Sequence, residues 1–204
     1  MRLAKRIAIT DDDVAVEVVK TYKAIEKLER AKIAKKGIKN HRELANKNSI
    51  AALKKTPKEY MAICQTVSQT WNNVSGKIAV AAFCYSLDRR NIAWGLEMSR
   101  PDVSSSNLDL IIWPNTAHEI YVELKWSARE RMDQLVGAYK RYTGDRAYII
   151  TRGSDFTQNK VTNLATSNLK SVVLEDTRGL TGVYTLDDLI SVVVAHLNTQ
   201  VLTG

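Results

Sequence analysis

The sequence has few of the features that mark secreted, membrane-spanning or disulfide-rich proteins. Only two of its 204 residues are cysteines, Cys64 and Cys84, and both sit in apolar helical patterns that favour buried free thiols. No apolar run reaches the length of about 18 residues that a membrane-spanning helix needs. Lys5 and Arg6 interrupt the apolar start of the chain, which is not typical of a secretory signal. We therefore expect a cytoplasmic protein with no membrane partner.

Several common catalytic patterns are also missing. The three histidines, His41, His118 and His196, form no pattern for Ser/His or Cys/His chemistry, and we expect structural or solvent-exposed roles for them. No Cys/His spacing fits a structural zinc site. The TRGS segment at 151–154 follows a predicted strand but lacks a phosphate-loop pattern. Trp113 leads into a turn, where its ring could be exposed to a base or a partner.

Positive charge is abundant, and it is unevenly distributed. Residues 1–60 hold 16 of the 30 Lys and Arg residues but only 8 of the 22 Asp and Glu residues, so they carry the whole net charge of +8. A basic segment on a neutral body favours a polyanion such as nucleic acid as partner. The alternative is a solvated helix face, because Lys and Glu interleave in this part of the chain.

The N-terminal part is predicted to be helical. Thr10 and Asp13 favour a helix start, apolar residues then recur at helical spacing, and Gly37 is a plausible left-handed cap at the end. A second helix is predicted from Asn40 and a third from Thr56, where Pro57 occupies the first helical position. We therefore interpret residues 1–72 as a basic helical module and residues 73–204 as a separate core.

The core is predicted to alternate helices and strands. An apolar helix over 75–90 precedes strands at 91–98, 108–113 and 119–125, and Ser127 and Glu130 cap a helix through Tyr142. Strands at 146–151 and 171–176 follow, separated by a helix over 159–169, and Thr185 and Asp188 cap a final helix. Three meandering strands followed by an α/β crossover predict an α/β (α+β) fold with a mixed central sheet and helices on both faces.

One predicted strand, YVELKWS at 121–127, carries an unusual pair of charges. Because side chains alternate along a strand, Glu123 and Lys125 point to one face while Ile120, Val122 and Leu124 point to the other. An isolated pair of this kind is usually a weak surface ion pair. Here Asp109 begins the preceding strand, and a hairpin would bring it beside Glu123.

Two neighbouring carboxylates repel unless a cation lies between them. Oxygen-rich sites of this kind suit Mg²⁺, which keeps several waters and takes phosphate oxygens as further ligands. A nearby lysine can position a water and stabilise its deprotonated form, or neutralise phosphate charge. These residues therefore indicate metal-assisted hydrolysis of a phosphodiester.

Asp109, a gap of 13 residues, and then Glu123-Leu124-Lys125 resemble the motif of the PD-(D/E)XK nuclease superfamily, which includes restriction endonucleases and Holliday-junction resolvases. The superfamily's αβββαβ core order resembles residues 75–151, and the C-terminal elements would be elaborations. The resemblance implies that Asp109, Glu123 and the main-chain carbonyl of Leu124 bind Mg²⁺, with Mn²⁺ as a substitute. It implies that Lys125 serves the nucleophilic water and that Gln134, on the following helix, faces the same cleft.

Some positions of the motif have alternatives. Asp102, in the literal Pro101-Asp102, is an alternative to Asp109, but Asp109 begins the strand that meets Glu123. Members of the superfamily often place a Glu on the first helix, whereas residues 77–87 contain no acid, so Glu97 is the candidate third acid. The alternative for Gln134 is a solvated helix residue.

The resemblance implies a Mg²⁺-dependent DNA endonuclease, and the start of the core favours a type II restriction-like enzyme. A structure-specific nuclease, such as a resolvase or a viral or mobile-element nuclease, and a non-catalytic DNA-binding protein remain open. Cleaving both strands of double-stranded or branched DNA needs two active sites, so a homodimer is expected. Candidate DNA-binding residues are Lys35, Lys36, Lys39, Arg42, Lys47 and Arg152.

Overall fold

A computed structural model describes the chain over residues 10–47, 56–96, 109–113, 118–125 and 146–201. The helix predicted over 127–142 lies outside these residues. The described helices are α1 (Val14–Lys47), α2 (Thr56–Arg89), α3 (Gln158–Ala165) and α4 (Leu186–Val201). The strands are β1 (Trp94–Gly95), β2 (Leu110–Ile112), β3 (Ile120–Leu124), β4 (Ala147–Thr151), β5 (Leu169–Val173) and β6 (Val183–Thr185).

The six strands form one mixed sheet in the order β1-β2-β3-β4-β5-β6. The first three strands pair antiparallel, and β3, β4, β5 and β6 pair parallel to one another. The start of β2 and the carboxyl ends of β3, β4, β5 and β6 therefore meet at one edge of the sheet. We call it the carboxyl edge. Open sheets bind ligands preferentially at the carboxyl ends of their parallel strands.

Apolar residues cover both faces of the sheet, as the sequence predicts. On one face, α1, α2 and α4 pack against Ile120, Val122 and Leu124 of β3. On the other face, α3 packs against alternate residues of β4 and β5, and Tyr121 of β3 lies against that cluster. The alternation predicted for β3 is thus confirmed, and it leaves Glu123 on the α3 side of the sheet. None of the described helices has both the length and the apolar character needed to cross a membrane.

The break predicted between two N-terminal helices is wrong. Gly37 neither ends a helix nor is followed by a new one at Asn40, because α1 continues to Lys47. Contacts between Glu17 and Ser86 and between Arg30 and Trp71 show that α1 and α2 run antiparallel against each other. A single glycine inside a helix costs only about 1 kcal/mol, so packing between two long helices can carry α1 past it.

The third helix begins at Thr56 as predicted, but it does not stop near residue 72. It continues as α2 to Arg89 and includes the segment predicted as a separate helix from 75. Its C-terminal half supplies core residues such as Phe83 and Leu87. The division of the chain into 1–72 and 73–204 remains a prediction, and a continuous helix crosses the proposed boundary.

The helix starts show one correction and one confirmation. Asp13, rather than Thr10, caps α1, because its carboxylate accepts a hydrogen bond from Val16 N at 2.8 Å. At α4, Thr185 Oγ1 accepts from Asp188 N at 3.1 Å while Asp188 Oδ2 accepts from Thr185 N at 2.8 Å, which is the predicted capping box. The short strand β6, immediately before α4, was not predicted.

A buried carboxylate joins α1 to α2. Glu17 has no exposed surface; it accepts hydrogen bonds from Ser86 Oγ and Arg90 Nη1, both at 2.5 Å, and forms an ion pair with Arg89 Nε at 2.6 Å. Charged hydrogen bonds of this kind offset the cost of burying the carboxylate. They fix the two helices relative to each other at the end that packs on the sheet.

Replacing Glu17 by Gln should lower the free energy of unfolding by about 3 kcal/mol, because two arginines lose their buried counter-charge. Urea unfolding followed by circular dichroism measures the loss. The matched control is Glu29→Gln, which removes a more exposed pair with Lys32 at 2.6 Å and should cost less than about 1 kcal/mol. Equal losses in the two variants would contradict the assigned role of Glu17.

Candidate active site

Glu123 and Lys125 lie together at the carboxyl end of β3. Glu123 is fully buried, and Lys125 Nζ lies 2.6 Å from Glu123 Oε1. Lys125 directly follows β3, and its main-chain N–H donates to Ile150 O at 2.9 Å, which continues the β3–β4 ladder by one residue. The two side chains therefore share one face of a continuous strand, at the carboxyl edge.

The hairpin of β2 and β3 brings Asp109 to the same place. Asp109 N donates to Val122 O at 3.2 Å, just before the first residue of β2. Asp109 Oδ2 accepts from Leu124 N at 2.9 Å and lies 3.3 Å from Lys125 Nζ. The side chain of Asp109 is thus anchored to the main chain of β3, and one ammonium group contacts both carboxylates.

The electrostatics of this cluster depend on burial and on the lysine. Burial raises the pKa of Asp109, although the Lys125 ammonium and the hydrogen bond from Leu124 act against this effect. For Lys125, burial acts to lower the pKa, but the charges of Glu123 and Asp109 outweigh it, so the pKa is raised. The lysine is therefore held in its charged form, as the counter-ion of the two acids.

The donor atoms of the cluster fit a hard cation such as Mg²⁺. One positively charged group already contacts both Asp109 and Glu123, so a single cation can serve both. The main-chain N–H of Leu124 points towards Asp109, on the β2 side of β3. Because the N–H and C=O of a strand residue face the same neighbouring strand, the Leu124 carbonyl also lies on the β2 side. Among the described residues, no three His, Cys, Asp or Glu side chains form a metal site. A Mg²⁺ ion here would complete its shell with water or phosphate oxygens.

Other predicted site residues are not brought into this cluster. Arg152 follows β4 at the same edge, but its Nε lies 3.9 Å from Glu175 Oε2, and strand alternation places it with Tyr148 and Ile150 on the α1 side of the sheet, opposite Glu123. Lys35 and Lys36 are exposed on α1. Glu97, Asp102 and Gln134 lie outside the described residues, as do the side chains of Lys39, Arg42 and Lys47.

A buried pair at the end of β4 was missed by sequence reasoning. Leu124 pairs with Ile150, so the next residue of β4, Thr151, lies beside Lys125, and its hydroxyl donates to Asp155 Oδ2 at 3.3 Å. Both residues are buried, Asp155 with 4% of its surface exposed. Asp155 sits in a 3₁₀ turn, Gly153–Asp155, directly after β4. The sequence showed only that an acid follows a predicted strand, which is a weak signal.

Gly153 keeps this turn close to the next loop of the carboxyl edge. A Cβ atom at this position would lie 2.2 Å from the main-chain oxygen of Asp176. Gly153→Ala should therefore force the backbone to shift and lower the free energy of unfolding by about 2 kcal/mol or more. Thermal and urea unfolding measure the change. Gly76→Ala in α2 is the control, because its Cβ would meet nothing within 4 Å and should not destabilise.

Trp113 gives a further correction. Trp113 is not exposed to a partner but buried, with 6% of its surface accessible, and its ring stacks on His196 with centroids 6.2 Å apart. His118 meets His196 edge-on at the same centroid distance. This group lies at the edge of the sheet opposite the acids, where β2 ends and β3 begins, and it helps to hold α4 against the sheet.

The mixed sheet and its flanking helices have the restriction-endonuclease-like fold. Among solved structures, a restriction endonuclease PspGI–substrate DNA complex aligns with a TM-score of 0.67 at 13% identity, over 97% of this chain and 87% of that chain. Metal-depleted Ecl18kI in complex with uncleaved, modified DNA aligns with a TM-score of 0.62 at 15% identity, over 87% of this chain. The aligned part spans 66% of the Ecl18kI chain. No protein-family model and no curated protein sequence matches this chain.

Proposed function

We propose that this protein is a Mg²⁺-dependent DNA endonuclease of the type II restriction class, which hydrolyses phosphodiester bonds at the carboxyl edge of its sheet. The observation that carries the proposal is the meeting of Asp109, Glu123 and Lys125, with Lys125 Nζ at 3.3 Å from one acid and 2.6 Å from the other. Two acids and a lysine on adjacent strands can hold a metal and stabilise negative charge at a phosphate.

Each residue has a proposed role in that reaction. Asp109, Glu123 and the carbonyl of Leu124 would hold the metal, and the metal, when bound, polarises the phosphate and lowers the pKa of a bound water. Lys125 would donate hydrogen bonds to the attacking water or to the phosphate and stabilise the developing negative charge. The hydrogen bond from Leu124 N fixes Asp109 in advance, so the site loses little freedom on binding.

We propose a third acidic ligand for the metal, in addition to Asp109 and Glu123. Glu97 is the third acid proposed from the sequence and Asp102 is the alternative to Asp109, while Gln134 is proposed to face the cleft from the helix predicted over 127–142. Mn²⁺ should replace Mg²⁺, because it also prefers oxygen ligands.

We propose that basic residues of α1, together with Arg152, bind DNA. Lys35 and Lys36 are exposed on α1 beyond Ile25, which is the last of the described α1 side chains in the apolar core. Lys39, Arg42 and Lys47 follow on the same helix, and Arg152 stands at the carboxyl edge. The neighbours solved with DNA support this proposal. We also propose a homodimer, because one site cleaves one strand at a time.

Plasmid cleavage tests the proposal. Supercoiled plasmid is incubated with the protein in Mg²⁺, with and without EDTA, and with the Lys125→Ala variant, and a four-way junction is tested in parallel. Discrete plasmid fragments that depend on Mg²⁺ and on Lys125 are expected. Symmetric nicks at the junction alone would indicate a structure-specific nuclease instead. DNA binding without metal-dependent cleavage of any substrate would refute nuclease activity.

A further inference from the structure

The Lys125 ammonium group contacts both acids of the candidate site, Asp109 and Glu123. Its ammonium nitrogen lies 2.6 Å from Glu123 Oε1 and 3.3 Å from Asp109 Oδ2. Glu123 has no exposed surface, and an ionised carboxylate in such a place needs a counter-charge. Lys125 Nζ donates a hydrogen bond to Asp109 Oδ2 and forms an ion pair with Glu123 Oε1, so one ammonium group serves both acids.

We infer that Lys125 is a resident counter-ion of the two acids and that a divalent cation binds by displacing its ammonium group from them. The inference rests on the proposed function, because it concerns the same site. Metal entry would then have a second effect, since it would release the lysine N–H groups towards the attacking water and the phosphate. The availability of the Lys125 N–H groups would thus depend on whether the metal is bound.

The contacts of Asp109 support such an exchange. Its Oδ2 accepts from two donors, the Lys125 ammonium and the main-chain N–H of Leu124. The Leu124 hydrogen bond belongs to the rigid strand and does not depend on the lysine. Asp109 therefore keeps its orientation when Lys125 leaves. A metal and an ammonium that seek the same carboxylates repel each other, so the lysine weakens metal binding for as long as it stays.

A metal titration without DNA tests this competition. Isothermal titration calorimetry with Mg²⁺ alone compares the unmodified protein with the Lys125→Met variant, which keeps the length of the side chain and removes its charge. We expect the variant to bind Mg²⁺ at least about tenfold more tightly, because a competing unit charge next to the site is gone. The control is Lys160→Met, since Lys160 Nζ binds a main-chain oxygen, Asp155 O, at 3.3 Å, and its loss should leave Mg²⁺ affinity unchanged.

A second measurement uses the unmodified protein, because Lys125→Met leaves two carboxylates without their counter-ion and can lower stability. Reductive methylation with labelled formaldehyde, read out by mass spectrometry, reports how freely each lysine reacts. Mg²⁺ should increase the rate of methylation at Lys125 several-fold and leave the exposed Lys23 of α1 unaffected. An unchanged or lower rate at Lys125 would overturn the inference.

The outcomes separate this inference from the proposed function. If the unmodified protein binds Mg²⁺ and cleaves DNA while Lys125→Met binds Mg²⁺ equally or more weakly, the inference fails and the function stands. If Lys125→Met binds Mg²⁺ more tightly but no DNA is cleaved under any condition, the inference stands and the function fails. If neither protein binds Mg²⁺ and no DNA is cleaved, both fail.

Discussion

Replacing Glu123 by Gln should lower the rate of Mg²⁺-dependent DNA cleavage by about a thousandfold, which is the largest effect that the structure predicts. The amide keeps the size of the side chain but removes one of the two negative charges that Asp109 and Glu123 bring together. Loss of one preorganised charged group in a buried site typically costs two to three orders of magnitude in rate. Single-turnover cleavage of plasmid at saturating Mg²⁺ measures the change.

The matched control for this variant is Glu175→Gln. Glu175 stands at the same carboxyl edge, after β5, but its neighbour is Arg152, at 3.9 Å, and not Lys125. Its substitution should change the cleavage rate less than about threefold and stability by less than about 1 kcal/mol. Circular dichroism of both variants checks that the fold is retained. If the Glu123→Gln variant cleaves DNA as fast as the control variant, Glu123 is not part of the active site.

Local rules explain why the acid–lysine cluster was predictable. The alternation of strand side chains placed Glu123 and Lys125 on one face, and a hairpin placed Asp109 next to Glu123. Both rules act over a few residues and do not depend on the rest of the fold. The observed register, with Leu110 opposite Val122, leaves Asp109 beside the end of β3 as that reasoning requires.

Features set by distant packing were not predictable in this way. Gly37 looked like a helix end, yet α1 passes through it while lying along α2. Trp113 looked exposed because it precedes a turn, but His196, far along the chain, covers it. No sequence pattern indicated that Glu17 would be buried against Ser86, Arg89 and Arg90 at the end of α2. Each outcome depends on contacts between elements that are far apart in the sequence. Neither the periodicity of apolar residues nor the capping residues could therefore predict it.

Changing Lys35 and Lys36 together to Gln should weaken DNA binding about tenfold at moderate salt and leave the cleavage rate of bound DNA unchanged. Both side chains are exposed on α1, in the segment that carries the excess positive charge. Each phosphate contact contributes about 0.9 to the slope of log affinity against log salt concentration. The slope should therefore fall by about 2 if both lysines contact phosphates.

Fluorescence anisotropy with a labelled duplex, in EDTA and over a range of salt, measures this slope directly. The control is Lys170→Gln, because Lys170 is the second residue of β5, at the edge of the sheet opposite the acids, and its Nζ lies 5.4 Å from the Tyr148 ring centroid. It should leave both affinity and slope unchanged. An unaltered slope in the double variant would mean that the charge of α1 is a solvated face, as the interleaved glutamates allow. A reduced slope with unimpaired single-turnover cleavage would instead separate the surface that binds DNA from the three residues that are proposed to cleave it.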